Sequence, residues 1–184
     1  MSRCSPSQTV GPFFHLSLTL NPALGRMTRP GAQGEHIRVR FRLLDGDGAP
    51  VPDGMLEIWQ ADASGKYDHP EDLRELAPDP AFCGFGRQAT DEDGFCIFET
   101  VYPGRADGQA SHLNVSVFAR GLLRRLSTRV YFEGDSAIAE DPVLALVPED
   151  RRHTLTASRD AGDPAQWNFE IRLQGGEETV FFDI

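Results

Sequence analysis

His112 and Asn114 stand two apart in the run His112-Leu113-Asn114-Val115. In a strand, that spacing puts both side chains on one face. Two imidazoles so placed would grip one metal ion. Here the second position is a carboxamide, whose neutral oxygen is a much poorer ligand than an imidazole for such an ion. Tyr67 ends Gly65-Lys66-Tyr67, and His69 stands two residues later, the one further histidine close enough in sequence to matter. His15, His36 and His153 are scattered and form no ligand spacing. The plain reading of His112 is a hydrogen-bonded strand histidine, and that of Tyr67 a loop tyrosine packed by its ring. An enzyme working alone with Tyr67, His69 and His112 is a further reading. Arg120 offers a permanent positive charge with a fork geometry that suits a carboxylate. Its plain reading is an arginine at a strand end, in a surface ion pair.

The composition limits what such groups can serve. The chain has 184 residues, 40% of them hydrophobic, which suffices for one domain with a real core. A net charge of −10 argues against general nucleic-acid or membrane-surface binding. An anionic small substrate would then have to meet a local arginine. No apolar run is long enough to span a bilayer, and residues 1–6 lack the apolar core of a signal peptide. Cys4, Cys83 and Cys96 are odd in number and widely spaced, so reduced thiols in a cytoplasmic protein are expected.

Strands must position these residues. Ile37, Val39, Phe41 and Leu43 alternate with Arg38, Arg40 and Arg42, the period of a half-buried strand. The arginines would make a basic stripe, either solvated or facing acidic groups of a neighbour. Further strands are expected at Leu56–Trp59, Phe95–Phe98, around Leu113, Val115 and Val117, at Thr128–Phe132, and along Trp167, Phe169, Ile171 and Leu173. Thr179–Phe182 reads as a seventh strand or a docked tail. Eighteen Gly and thirteen Pro in short clusters supply turns. Asp141 with Pro142 predicts a helix start, with Val143, Leu146 and Val147 as its apolar stripe. These signals predict an all-β chain: a β-sandwich with long loops and one or two short helices. Residues 1–35 form an irregular arm in this reading, residues 36–184 the sandwich with its tail, and the whole one domain. The pairs Phe13-Phe14 and Phe181-Phe182 imply termini that dock rather than fray.

Several separated motifs occur in a recognisable order. Leu56-Glu57-Ile58-Trp59-Gln60-Ala61-Asp62-Ala63-Ser64-Gly65-Lys66-Tyr67 is succeeded by Gly86-Arg87-Gln88-Ala89-Thr90-Asp91-Glu92-Asp93-Gly94, then Pro103-Gly104, then His112-Leu113-Asn114, then Thr128-Arg129-Val130-Tyr131-Phe132. This order resembles the intradiol ring-cleaving dioxygenases from Thr9 to Leu173. Phe118-Ala119-Arg120-Gly121 and the ending Gly175–Asp183 resemble the non-metal subunit of two-subunit members.

The resemblance implies a mixed β-sandwich and Fe(III) held by two tyrosines and two histidines. Against that set this chain reads Tyr67, Ala106, His112 and Asn114, so two of the four ligands are missing. Arg129 stands where the catalytic subunit carries glutamine. The resemblance therefore implies that Fe(III) sits in an iron-binding beta subunit, itself a homologous chain, within a larger hetero-oligomer of alpha-beta pairs. The implied reaction is cleavage of 3,4-dihydroxybenzoate by O2. The implied contribution of this chain is to the substrate pocket, through Thr9, Gly11 and Pro12 at one end and Arg120 at the other. A purely structural subunit on the same fold is the competing implication.

Overall fold

The alternation of Ile37, Val39, Phe41 and Leu43 becomes strand β1 (His36–Leu44) in the computed structural model, which describes residues 6–9, 11 and 17–183. Seven more strands come after it: β2 (Met55–Trp59), β3 (Phe85–Ala89), β4 (Phe95–Val101), β5 (His112–Phe118), β6 (Leu126–Phe132), β7 (Thr156–Arg159) and β8 (Gln166–Arg172). Their order is β3-β2-β5-β6-β7-β8-β1-β4. β7 joins two leaves, running parallel to β6 and antiparallel to β8. The edge strands β3 and β4 lie against each other, so the sheet nearly closes. The expected all-β architecture with long loops is what the chain adopts.

Between the leaves lie the inward members of each alternation. Phe41 meets Phe98 edge-on at 5.6 Å and Phe169 at 5.9 Å. Leu56, Ile58, Leu113, Val115 and Val130 close the core from the other leaf. Each such side chain contributes about 1.5–3 kcal/mol by leaving water, as an upper bound. Met27 also enters this core, 1% exposed, although residues 16–35 carry no periodic signal. Its neighbours Arg26 and Thr28 bridge to Glu99 and Phe82, which threads the segment between elements distant in sequence.

Three local expectations need correction or choice. No helix starts at Asp141. The segment holds short 3-10 turns at Ser136–Glu140, Leu144–Leu146 and Glu149–Leu155. The Asp141 carboxylate accepts from the amides of Val143 and Leu144, as a cap would, but also from Ala110 N–H and Tyr131 Oη. Tertiary bonds thus hold this stretch, and Leu144 rather than Leu146 is buried. β3 and β7 were not foreseen, because neither short segment alternates in hydrophobicity. The segment Thr179–Phe182 is a docked tail: Phe182 N–H donates to Ser127 O at 2.7 Å, and Thr128 Oγ1 donates to Val180 O at 2.7 Å.

The outer arginines of β1 do not behave alike. Arg38 pairs with Asp163, whereas the Arg40 and Arg42 guanidiniums lie 3.8 and 5.1 Å from the centre of the Phe95 ring. Among the described residues, no helix is long and apolar enough to cross a membrane. Phe13 and Phe14 lie outside the described residues.

Candidate functional site

Strand alternation sends Leu113, Val115 and Val117 inward and turns His112, Asn114 and Ser116 outward. On β6 the outward residues are Ser127, Arg129 and Tyr131. Antiparallel register then pairs His112 with Tyr131 and Asn114 with Arg129. On the other side, Asn114 is opposite Trp59 of β2. One rung of the sheet therefore reads Trp59–Asn114–Arg129. Directly opposite residues keep their Cβ atoms about 4.5–5.5 Å apart, so these three side chains share one small surface.

Tyr67 reaches this rung from the long β2–β3 loop. Its ring stacks on Trp59 at 5.9 Å with an 18° tilt, and it lines one cavity together with Asn114. The loop is fixed from within. Asp62 accepts from the amides of Ser64, Lys66 and Asp79. Lys66 Nζ donates to the carbonyls of Asp72 and Arg74, and Tyr67 N–H donates to Asp72 Oδ2 at 2.9 Å. Arg74 holds the Asp72 carboxyl well below the usual carboxylate range. Gly65 sits at φ +87°, where a Cβ would lie 2.1 Å from Arg105 O. The loop thus packs backbone against backbone on Gly104 and Arg105, which is why Pro103-Gly104 and Gly65-Lys66-Tyr67 come together.

Burial raises the Tyr67 phenol above its ordinary value despite Arg129 and Asn114, so the group is neutral at pH 7. His112 Nδ1 lies 2.8 Å from Ala110 O. A carbonyl only accepts, so the proton is on Nδ1 and Nε2 carries a lone pair. Burial, joined by the Arg129 charge, lowers the His112 pKa, although the Ala110 carbonyl favours the cation. Ala106 is buried and brings no donor atom. Arg129 Nη1 donates to Gln109 Oε1 at 2.6 Å. Its charge acts on Tyr67, His112 and Tyr131 together. Among the described residues, no group of three or more His, Cys, Asp and Glu is placed to hold a metal ion.

A cavity of about 600 Å³ opens beside the rung, lined by Trp59, Tyr67, His69, Arg74, Asp107 and Asn114 among others. His69 is exposed and meets Trp59 edge-on, while buried His112 does not line that cavity. The third grouping named from sequence, Tyr67 with His69 and His112, is therefore only partly assembled.

The second set of nominated residues lies elsewhere on the surface. Thr9 and Arg120, 111 positions apart in sequence, are brought to one exposed patch: Gly121 N–H donates to Thr9 Oγ1 at 2.7 Å. Gly11 is exposed, and Pro12 lies outside the described residues. Arg120, its side chain 72% exposed, pairs through Nε with Asp53. Gln8 covers a small hollow formed with Phe118, Leu122 and Arg124. Sequence reading missed Asp53 as the partner of Arg120 and Gln109 as the partner of Arg129. Neither lies in a motif, and only folding makes them neighbours.

Comparison with known proteins fits this architecture. A family model described as Dioxygenase matches residues 10–175. The protocatechuate 3,4-dioxygenase alpha chain of Burkholderia cepacia is 43% identical, covering 98% of this chain and 97% of that one. The beta chain of the same enzyme is 35% identical over 79% of this chain and 67% of its own length. The dioxygenase domain of a dioxygenase–carbohydrate-binding fusion from Streptomyces sp. SirexAA-E shares the fold at TM-score 0.65 and 22% identity, covering 94% of this chain and all of that one. The family is known for non-heme iron. The residues near Tyr67 fit that ion poorly: a phenol and the His112 imidazole are donors suited to it, but Ala106 brings no donor atom, Asn114 only a neutral amide, and Arg129 a fixed cation. In sequence over nearly its full length, and in fold, the chain belongs to the family of intradiol ring-cleaving dioxygenases.

Proposed function

We propose that this chain is the alpha-type, non-metal subunit of a protocatechuate 3,4-dioxygenase, shaping the substrate pocket of a homologous beta subunit that holds Fe(III). The reaction is O2-dependent cleavage of 3,4-dihydroxybenzoate to 3-carboxy-cis,cis-muconate. The metal chemistry belongs to the partner, in a larger assembly of alpha-beta pairs. The free thiols Cys83 and Cys96 suit a cytoplasmic setting.

The observation that carries this reading is the tie between Thr9 and Gly121, which sets the N-terminal segment beside Arg120 on an exposed surface. Thr9, Gly11 and Arg120 then form one wall of a pocket completed by the partner; Pro12, nominated with them, lies outside the described residues. Arg120 would take the substrate carboxylate in its fork. Its bond to Asp53 is no obstacle, because an exposed ion pair is worth only about 0–1 kcal/mol. On a chain of charge −10, this guanidinium also offsets repulsion of an anionic substrate.

The test uses the reconstituted pair. Iron should be found in the partner and not in this chain alone, and ring cleavage should need both. Arg120→Ala in the complex should weaken substrate binding by about 1.5–3 kcal/mol, roughly ten- to 150-fold in KM. An unchanged KM would favour the second reading, a structural subunit without a role at the pocket. The Arg120–Asp53 pair is the observation on that side.

A further inference from the structure

We propose that Arg129 occupies the electrostatic place of the metal in this chain, and that its charge, not only the two missing ligands, keeps iron out. The inference rests on the reading that this chain holds no iron and deepens it. Arg129 faces Asn114 directly across β5 and β6, in the same rung as Trp59. Gln109 fixes its guanidinium at 2.6 Å. Tyr67, Asn114 and His112, three of the four counterparts of the iron ligands, lie within reach of that charge or beside it.

Two of the four donors are otherwise competent. Tyr67 still reaches the rung, and the His112 proton on Nδ1 leaves Nε2 open as a donor. A trivalent ion brought among them would meet a cation that cannot deprotonate at any working pH. The same cation explains why a pocket without metal keeps polar groups on its outward face. It donates to Gln109 and its charge also acts on the Tyr131 phenol across the strand. Arg129 is thus a positioning residue for these polar groups as well as a barrier to iron.

The experiment uses the full-length chain and Fe(III), in wild type, Asn114→His, Asn114→His/Arg129→Gln and Asn114→His/Arg129→Lys. Bound iron is measured per chain, together with the visible absorption of a tyrosinate–Fe(III) pair. Asn114→His should stay at background, as should the Lys variant, which keeps a positive charge. The Gln variant should retain at least about tenfold more iron and show the absorption band. Iron binding by Asn114→His equal to that of the Gln variant would overturn the proposal, as would binding by the Lys variant. A folded Gln variant that stays at background would overturn it too. Arg129→Met in place of Gln provides a second neutral form should the amide fail to fold. Stoichiometric iron in the wild type would instead overturn the underlying reading, a distinct outcome.

Discussion

His112 is a buried strand histidine held by one backbone bond. Its Nδ1 donates to Ala110 O, while burial and the Arg129 charge make the cation costly. That cost gives a signed prediction. In the unfolded chain an imidazole binds its proton near pH 6.5. In the folded chain it does so only at lower pH. Between the two values the unfolded state holds more protons, so stability falls as pH drops from about 6.5 through the folded value. His112→Gln should flatten that part of the profile. Urea unfolding at about pH 7.5 and 5.5 checks this, since equal losses in wild type and variant would contradict it. Arg120 belongs to the same scale, and Arg120→Lys adds a control: it keeps the charge but loses the fork, so it should restore only part of the affinity.

At the scale of elements, the loop carrying Tyr67 is held by a close backbone approach. Gly65→Ala would force a left-handed backbone on a residue with a side chain and drive its Cβ against Arg105 O. The backbone alone costs about 1–2 kcal/mol, and the contact should bring the total above about 2 kcal/mol. Gly108, at φ +74° with open space around it, is the control. Gly108→Ala should cost only the backbone term, about 1–2 kcal/mol. Thermal unfolding separates the two, and Trp fluorescence should report a loosened Tyr67–Trp59 stack only in the first. Equal effects would remove the close approach as the reason for the glycine. The Asp141 segment teaches the opposite lesson about caps. Pro142 and the carboxylate look like a helix start, yet half of the bonds to that carboxylate come from Ala110 and Tyr131. A cap motif fixes a first turn but cannot extend it into a helix.

For the whole molecule, the C-terminal tail joins the outer surface of β6 to a second core. Val180 and Phe182 pack with Tyr131, Leu144, Val147 and Leu155, and Arg151 donates to Glu178 O. A chain ending at Gly176 should lose about 3 kcal/mol or more: the partly buried Val180, Phe181 and Phe182, the buried Thr179 and several hydrogen bonds go at once. The midpoint of thermal unfolding should fall by several degrees. An unchanged midpoint would mean that the tail is merely laid on the surface.

The sequence by itself determined the strands that alternate. It also determined the family motifs and, through them, which residues the resemblance nominates: Tyr67, Ala106, His112 and Asn114. Alternation is legible because one face must be apolar for burial, and a motif is legible because its spacing is fixed along the chain. The tertiary structure alone decided which residues answer one another across the chain. Arg129 faces Asn114 because of register, Gln109 then takes its guanidinium, and Thr9 reaches Gly121 across 112 positions. β3 and β7 likewise exist by pairing and not by pattern. Contacts between distant segments depend on how strands are ordered in the sheet, and strand order leaves no local trace in hydrophobic period. For that reason the nominated positions could be read from the letters, while the cation facing Asn114 became visible only in the fold.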